Sequence, residues 1–173
     1  MSQNQKSVIF IKKNRGLLSS TAVVLAIAVI VVFIRQSGPQ GTSQAQDAVV
    51  DSDIVISLSE VSETAGFYPA EINGTRLEVL AVKAPDGTIR TAFNTCQVCY
   101  DSGRGYYQQD GDVLVCQNCG NRFRMDQVEV VSGGCNPVPI FDENKTVDGT
   151  SITISADYLR EATVIFSNWK SSY

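Results

Sequence analysis

Cys96-Gln97-Val98-Cys99 and, after sixteen intervening residues, Cys116-Gln117-Asn118-Cys119-Gly120-Asn121-Arg122-Phe123 decide how this chain is read. Two residues between cysteines let the backbone double back so that both sulfurs face one ion, and two such knuckles complete a tetrahedron. Gly120 is able to take the left-handed conformation that points backbone N–H groups at the sulfurs, and Phe123 is placed to roof the site. The first knuckle carries Tyr100 where the second carries Gly120, so the halves are not equivalent. Three other uses of the four thiols stay open at this point. They are two disulfides, which would close very small loops, a dithiol redox pair, and a purely structural zinc site.

Outward from the knuckles the sequence reads as strands. Ile54 to Leu58 alternates with polar residues, and Leu77 to Val82 and Ile89 to Phe93 are rich in β-favouring types, with turn signals at Asn73-Gly74 and Asp86-Gly87. Gly105 to Gln109 and Asp112 to Val115 flank Asp110-Gly111, a hairpin that would deliver the second cysteine pair at the end of a strand. Ser151 to Ile154 is a further strand. Ser155 is then expected to cap a short C-terminal helix, with Asp157 in its first turn and Leu159, Ala162, Val164 and Phe166 available for packing. The fold class is mainly β: hairpins with zinc-ribbon-like cysteine knuckles and one short C-terminal helix, plus one N-terminal transmembrane helix. Asn73-Gly74-Thr75 and Asn144-Lys145-Thr146 match the glycosylation pattern, which this chain has no other feature to support.

The fifth cysteine lies in Ser132-Gly133-Gly134-Cys135-Asn136-Pro137-Val138-Pro139, too rich in Gly and Pro for a regular element, so a loop is expected. Two readings of Cys135 stand: a free buried thiol, or a loop that folds back over the centre and supplies an extra or exchangeable sulfur.

Residues 16–34 carry no charge, long enough for a helix to cross a hydrocarbon core of about 30 Å. Lys12, Lys13 and Arg15 crowd its N-terminal side against Arg35 alone at the other, so residues 1–15 are expected in the cytoplasm and the body of the protein outside. The expected order is a cytoplasmic segment 1–15, an anchor 16–35, a flexible Gln/Ser/Gly-rich tether 36–53 and an extracytoplasmic domain 54–173. An uncleaved anchor is favoured over a signal peptide because the apolar run is too long for one. Lys12-Lys13-Asn14-Arg15 is not a twin-arginine pattern, so any metal is expected to load after export.

The formal net charge of −4 hides a division: all 18 acids follow residue 46, against nine of the 14 bases. An acidic outer domain is a poor match for phosphate backbones, so no nucleic-acid partner is expected. With five cysteines and no histidine the available ligands are sulfur and oxygen, and no paired carboxylates, phosphate loop or nucleophile elbow argue for ordinary catalysis. Arg104, Arg122 and Arg124 stand out in this acidic background as candidates for partner docking.

Gly87-Thr88-Ile89-Arg90-Thr91-Ala92-Phe93-Asn94-Thr95-Cys96-Gln97-Val98-Cys99-Tyr100, then Gly105-Tyr106, the run Val115 to Phe123, and Gly133-Gly134-Cys135-Asn136-Pro137 together resemble the FtrD-like membrane iron-sulfur proteins over about residues 67–140. The resemblance implies a membrane-bound, cysteine-rich domain with an iron-sulfur centre, linked in some bacteria to uptake of ferrous iron. Its ligand positions correspond to Cys96, Cys99, Cys116 and Cys119, with Cys135 as the additional motif cysteine. It implies an electron-transfer role beside a membrane iron permease or another redox partner. Some relatives fuse the domain to many spans, whereas this chain has one, so permease activity itself does not carry over. Thiolates suit an iron-sulfur cluster, a single iron, zinc or copper(I), and the metal stays open on sequence grounds, as does a thiol-disulfide role.

Overall fold

A computed structural model describes residues 46–171. The expected cytoplasmic segment and membrane anchor, and most of the tether, lie outside the described residues. Among the described residues no helix is long and apolar enough to cross a membrane.

Among the described residues eleven strands and one α-helix follow in order: β1 (Val49–Val50), β2 (Ile54–Ser57), β3 (Gly66–Ile72), β4 (Thr75–Lys83), β5 (Ile89–Cys96), β6 (Tyr107–Asp110), β7 (Val113–Cys116), β8 (Arg122–Arg124), β9 (Pro137–Pro139), β10 (Thr146–Val147), β11 (Ser151–Ile154) and α1 (Ala156–Ala162). They form a five-stranded sheet in the order β1-β3-β4-β5-β9 and two three-stranded sheets, β10-β11-β2 and β6-β7-β8. The mainly β expectation with one short C-terminal helix holds. β1 pairs in parallel with β3, so Val49 and Val50, inside the stretch whose composition reads as a tether, belong to the sheet.

β4 and β5 are buried on both faces, which is why Val79 to Val82 of β4 reads as a continuous apolar run instead of an alternating one. Side chains of period two still divide between the faces. Leu77, Val79 and Ala81 of β4 and Phe93 of β5 enter a core with Ile54, Ile56, Ile152, Leu159 and Phe166. Leu80 and Val82, with Ala92 and Cys96 of β5, enter a second core with Tyr107, Leu114, Cys116, Phe123 and Cys99. The cysteines are thus built into the second core. Each fully buried Leu, Val or Phe contributes about 1.5 to 3 kcal/mol, so both faces of β4 and β5 are anchored by burial.

α1 begins as expected: the Ser155 hydroxyl oxygen accepts the Tyr158 N–H at 3.2 Å, and Asp157 sits in the first turn. Leu159, Ala162 and Phe166 pack inward, but Val164 is 71% exposed. Five residues beyond Leu159, Val164 lies about 140° around the helix from it, on the outer face, whereas Ala162 and Phe166 fall within about 60° of it.

One expectation is corrected. Ser132 to Pro139 is not loop throughout, because Pro137–Pro139 forms β9 on the free edge of β5, with Phe93 opposite Val138 and Cys96 opposite Pro137. An edge strand tolerates prolines because its outer N–H positions need no partner. The register shifts between Phe93 and Cys96, so β5 bulges at Asn94 and Thr95 immediately before the first knuckle.

The bulge carries a buried polar junction. Asn94, 1% exposed, donates from its amide nitrogen to Glu78 Oε2 at 2.6 Å and accepts the Tyr107 N–H on Oδ1 at 2.7 Å. Its backbone oxygen accepts the Trp169 indole N–H at 2.7 Å, while Lys170 Nζ lies 3.3 Å from Glu78 and 4.2 Å from the Trp169 ring centroid. One side chain on β5 thereby fixes the start of β6 and the C-terminal segment.

Candidate metal centre

Both knuckles grow out of strand ends. β5 terminates on Cys96, whose N–H donates to Gly105 O at 2.7 Å, and the chain turns so that the Cys99 N–H points back at Cys96 Sγ at 3.3 Å. The Ser102 N–H and hydroxyl then both donate to Cys99 O, at 3.0 and 2.6 Å. Gly105 packs so closely on this turn that an added Cβ would lie 2.4 Å from Cys99 O and 2.6 Å from Cys99 C.

β7 likewise terminates on Cys116, delivered by the hairpin with β6 as the sequence predicts. The Gly120 N–H donates to Cys116 O at 2.9 Å. Gly120 itself is at φ +74°, the left-handed turn required for the chain to re-enter β8. Backbone N–H groups of Asn118 and Cys119 reach the Cys116 sulfur, and that of Asn121 reaches Cys119. Phe123, on β8 opposite Leu114, is buried in the same core as Cys96, Cys99 and Cys116. Tyr100, by contrast, is 38% exposed.

All five cysteines are free thiols. Their sulfurs fall in two overlapping groups, Cys96, Cys99 and Cys135, and Cys99, Cys116 and Cys119, with the sulfurs of each group within 4.8 Å of one another. Cys96, Cys99 and Cys116 are buried, Cys135 is half-buried and Cys119 is exposed. The loop bearing Cys135 thus brings its sulfur within 4.8 Å of those of Cys96 and Cys99.

Residues that the sequence reading missed hold the centre together. Gln97, between the cysteines of the first knuckle, accepts the Gly133 N–H on Oε1 at 2.9 Å and donates from Nε2 to Pro137 O at 3.1 Å. The Cys135 carbonyl accepts from the Tyr107 hydroxyl and from the Asn121 amide, each at 2.8 Å. Tyr107 is 1% exposed, and its hydroxyl also lies against the Cys96 sulfur. Gln97 and Asn121 stand within the motif runs quoted above, but Tyr107 does not, because which side chain of β6 faces the cysteines depends on register. Arg122 and Arg124 pair with Asp110 and Asp126, each at 2.9 Å on exposed surface, pairs of small energetic worth.

The thiols are electrostatically unequal. Burial pushes Cys96 up, but hydrogen bonds from Tyr107 and the backbone of Cys99 and Val98 outweigh it and leave this thiol below its ordinary value. Cys119 is also lowered, first by the Asn121 N–H. Burial raises Cys99, and raises Cys116 to about 12. Cys135 is raised to about 12 as well, first by its hydrogen bond with Cys119. A thiol whose folded pKa exceeds the free value of 9.0 stabilises the fold below that value and loses this contribution as pH rises through the folded pKa. The metal-free protein is therefore expected to lose stability to urea as pH climbs from about 9 toward about 12. The metal-loaded protein, its ligands already deprotonated, should not. Urea midpoints across that range, with and without metal, check this.

An all-sulfur cluster at the edge of a hydrophobic core, with N–H groups aimed at its sulfurs, suits a thiophilic metal or an iron-sulfur group. Beside it, the buried Thr95 hydroxyl has no hydrogen-bond partner among the described residues.

A small β domain with a cysteine cluster able to hold a metal ion is what the fold and the site define. The chain belongs to the family described as membrane iron-sulfur containing protein, FtrD-like, which matches residues 46–166. That match extends the resemblance on both sides, to β1 and to the end of the C-terminal 3-10 turn. No curated protein matches the chain. Among solved structures it is similar to the quaternary ammonium Rieske monooxygenase CntA in complex with an inhibitor, at 15% identity and a TM-score of 0.39. That likeness covers 60% of this chain and 31% of the monooxygenase, so the chain matches less than a third of that structure's length.

Proposed function

We propose that this chain is a membrane-anchored electron-transfer protein. In this reading Cys96, Cys99, Cys116 and Cys119 hold an iron-sulfur cluster, or a single iron, outside the cytoplasmic membrane, in the service of iron uptake. The observation that carries the reading is the gathering of the cysteines at the ends of β5 and β7 into one cluster with backbone N–H groups turned onto the sulfurs. Family membership supports the iron-sulfur and membrane parts. When bound, the iron centre supplies one-electron exchange at a potential set by hydrogen bonds to sulfur and by solvent access.

The protein's own part is placement. Leu80, Val82, Ala92 and Leu114 keep water from the inner side of the site, and the exposed Cys119 brings its outer side to the surface, where a redox partner or an iron permease docks. Tyr107 and the knuckle N–H groups stabilise negative charge on the sulfurs, and Gln97 and Asn121 tie the knuckles to the loop carrying Cys135. The single span expected at residues 16–35 anchors the domain.

The full chain, purified in detergent without oxygen, is expected to carry stoichiometric iron with acid-labile sulfide and a visible spectrum that bleaches on reduction. Iron without sulfide would identify the single-iron form. Stoichiometric zinc in a colourless protein would overturn electron transfer in favour of a structural or metal-delivery module. Metal-free protein with two readily reduced disulfides would point to a thiol-disulfide role.

A further inference from the structure

Five thiols surround a centre for which four suffice, and they are not held alike. Cys96, Cys99 and Cys116 are buried at strand ends and in the first knuckle, and their positions follow from the sheet. Cys119 and Cys135 approach from the solvent side, and their thiols hydrogen-bond each other. Cys99 belongs to both three-sulfur groups, one completed by Cys119 and the other by Cys135.

The loop bearing Cys135 is tied down by side chains from three places. Gln97 of the first knuckle binds it on both sides, at Gly133 and Pro137, while Asn121 after the second knuckle and Tyr107 of β6 both bind the Cys135 carbonyl. Upstream, Glu129 pairs with the buried Lys145 and accepts the Thr91 N–H at 2.7 Å, which anchors the loop's other end to β5. With the Cys135 backbone held this way, its side chain is left to present sulfur to the cluster.

We propose that the fourth ligand place is shared by Cys119 and Cys135, either of which completes a set whose fixed members are Cys96, Cys99 and Cys116. Metal then enters and leaves by thiol exchange at that place. In the exchange one thiol gives up its proton as its sulfur binds, and the displaced thiolate takes a proton up. No electron moves, so neither oxidant nor reductant is consumed. This rests on reading the cluster as a metal centre, but not on the metal being iron.

The test is a cobalt(II) titration of the full chain, in detergent, stripped of metal and kept from oxygen, following the thiolate-to-cobalt charge-transfer band. Cys119→Ser and Cys135→Ser are each expected to keep a four-thiolate spectrum with affinity within about tenfold of the parent, while the double variant falls by more than about a hundredfold. Cys119→Ser falling as far as the double variant would overturn the proposal, because Cys135 would then not substitute. A guard against simple misfolding is Asn121→Ala, which frees the Cys135 carbonyl. It should cost about tenfold in affinity when Cys119 is already serine and no more than about twofold in the parent. Equal costs in both backgrounds would also overturn the shared place. A parent chain that binds no cobalt would remove the metal-centre reading itself, an outcome distinct from binding that simply fails to depend on Cys135.

Discussion

Gly105→Ala is expected to cost the protein its metal and about 3 kcal/mol of stability, although the residue contributes no ligand. The added methyl would lie 2.4 Å from Cys99 O, 2.6 Å from Cys99 C and 2.9 Å from Tyr100 N, all backbone atoms that cannot rotate aside. Moving Gly105 away is no remedy, because its carbonyl accepts the Cys96 N–H at 2.7 Å and would drag the end of β5 with it. Relief comes only from opening the turn between Cys96 and Cys99, which separates the two sulfurs of the first knuckle. Metal content and thermal unfolding of the purified variant measure both effects. Gly111→Ala is the control. Its φ of +64° makes alanine strained by about 1 to 2 kcal/mol, but nothing lies within 4 Å of the new Cβ, so metal should be retained. Parent-like metal content in the Gly105 variant would show that the close approach does not shape the knuckle.

Asn94→Leu is the second large effect, expected at about 3 kcal/mol. Leucine fits the volume but removes both the donor to Glu78 and the acceptor for the Tyr107 N–H, leaving a mostly buried carboxylate with only Lys170 and a backbone donor with no strong partner. For a domain of this size the unfolding midpoint should fall by roughly 10 °C. Adding Glu78→Gln, which removes the stranded charge, should recover part of the loss. If the double variant is no more stable than Asn94→Leu alone, the penalty does not come from the carboxylate. Because Asn94 also sets the start of β6, the Tyr107 clamp on Cys135 should loosen, read as a changed cobalt spectrum in the variant.

How much of this was legible in the sequence depends on the range of the interaction. Asn73-Gly74 and Asp110-Gly111 announced their hairpins, and Ser155 its helix, because turns and caps are settled by nearest neighbours. The two knuckles were legible for the same reason, since cysteine spacing and Gly120 specify a local backbone path. β9 was not, because Pro137 and Pro139 argue against a strand until an edge is known to be available beside β5. Val164 is apolar but out of phase with Leu159, Ala162 and Phe166, so helix geometry puts it on the outer face whatever its side chain. Tyr107, Gln97 and Asn121 could not be assigned roles from local pattern, because each acts on a loop 14 to 40 residues away in the chain.

By itself, then, the sequence determined a mainly β domain with paired cysteine knuckles, for those features are written in local turn chemistry and period-two burial. Only the tertiary structure decided that Cys135 joins them. Its carbonyl is held by Tyr107 and Asn121 and its flanks by Gln97, and those residues meet only after the sheet containing β5 and the β6-β7-β8 sheet have formed and come together, so the free energy that places the fifth sulfur is the free energy of assembling the sheets.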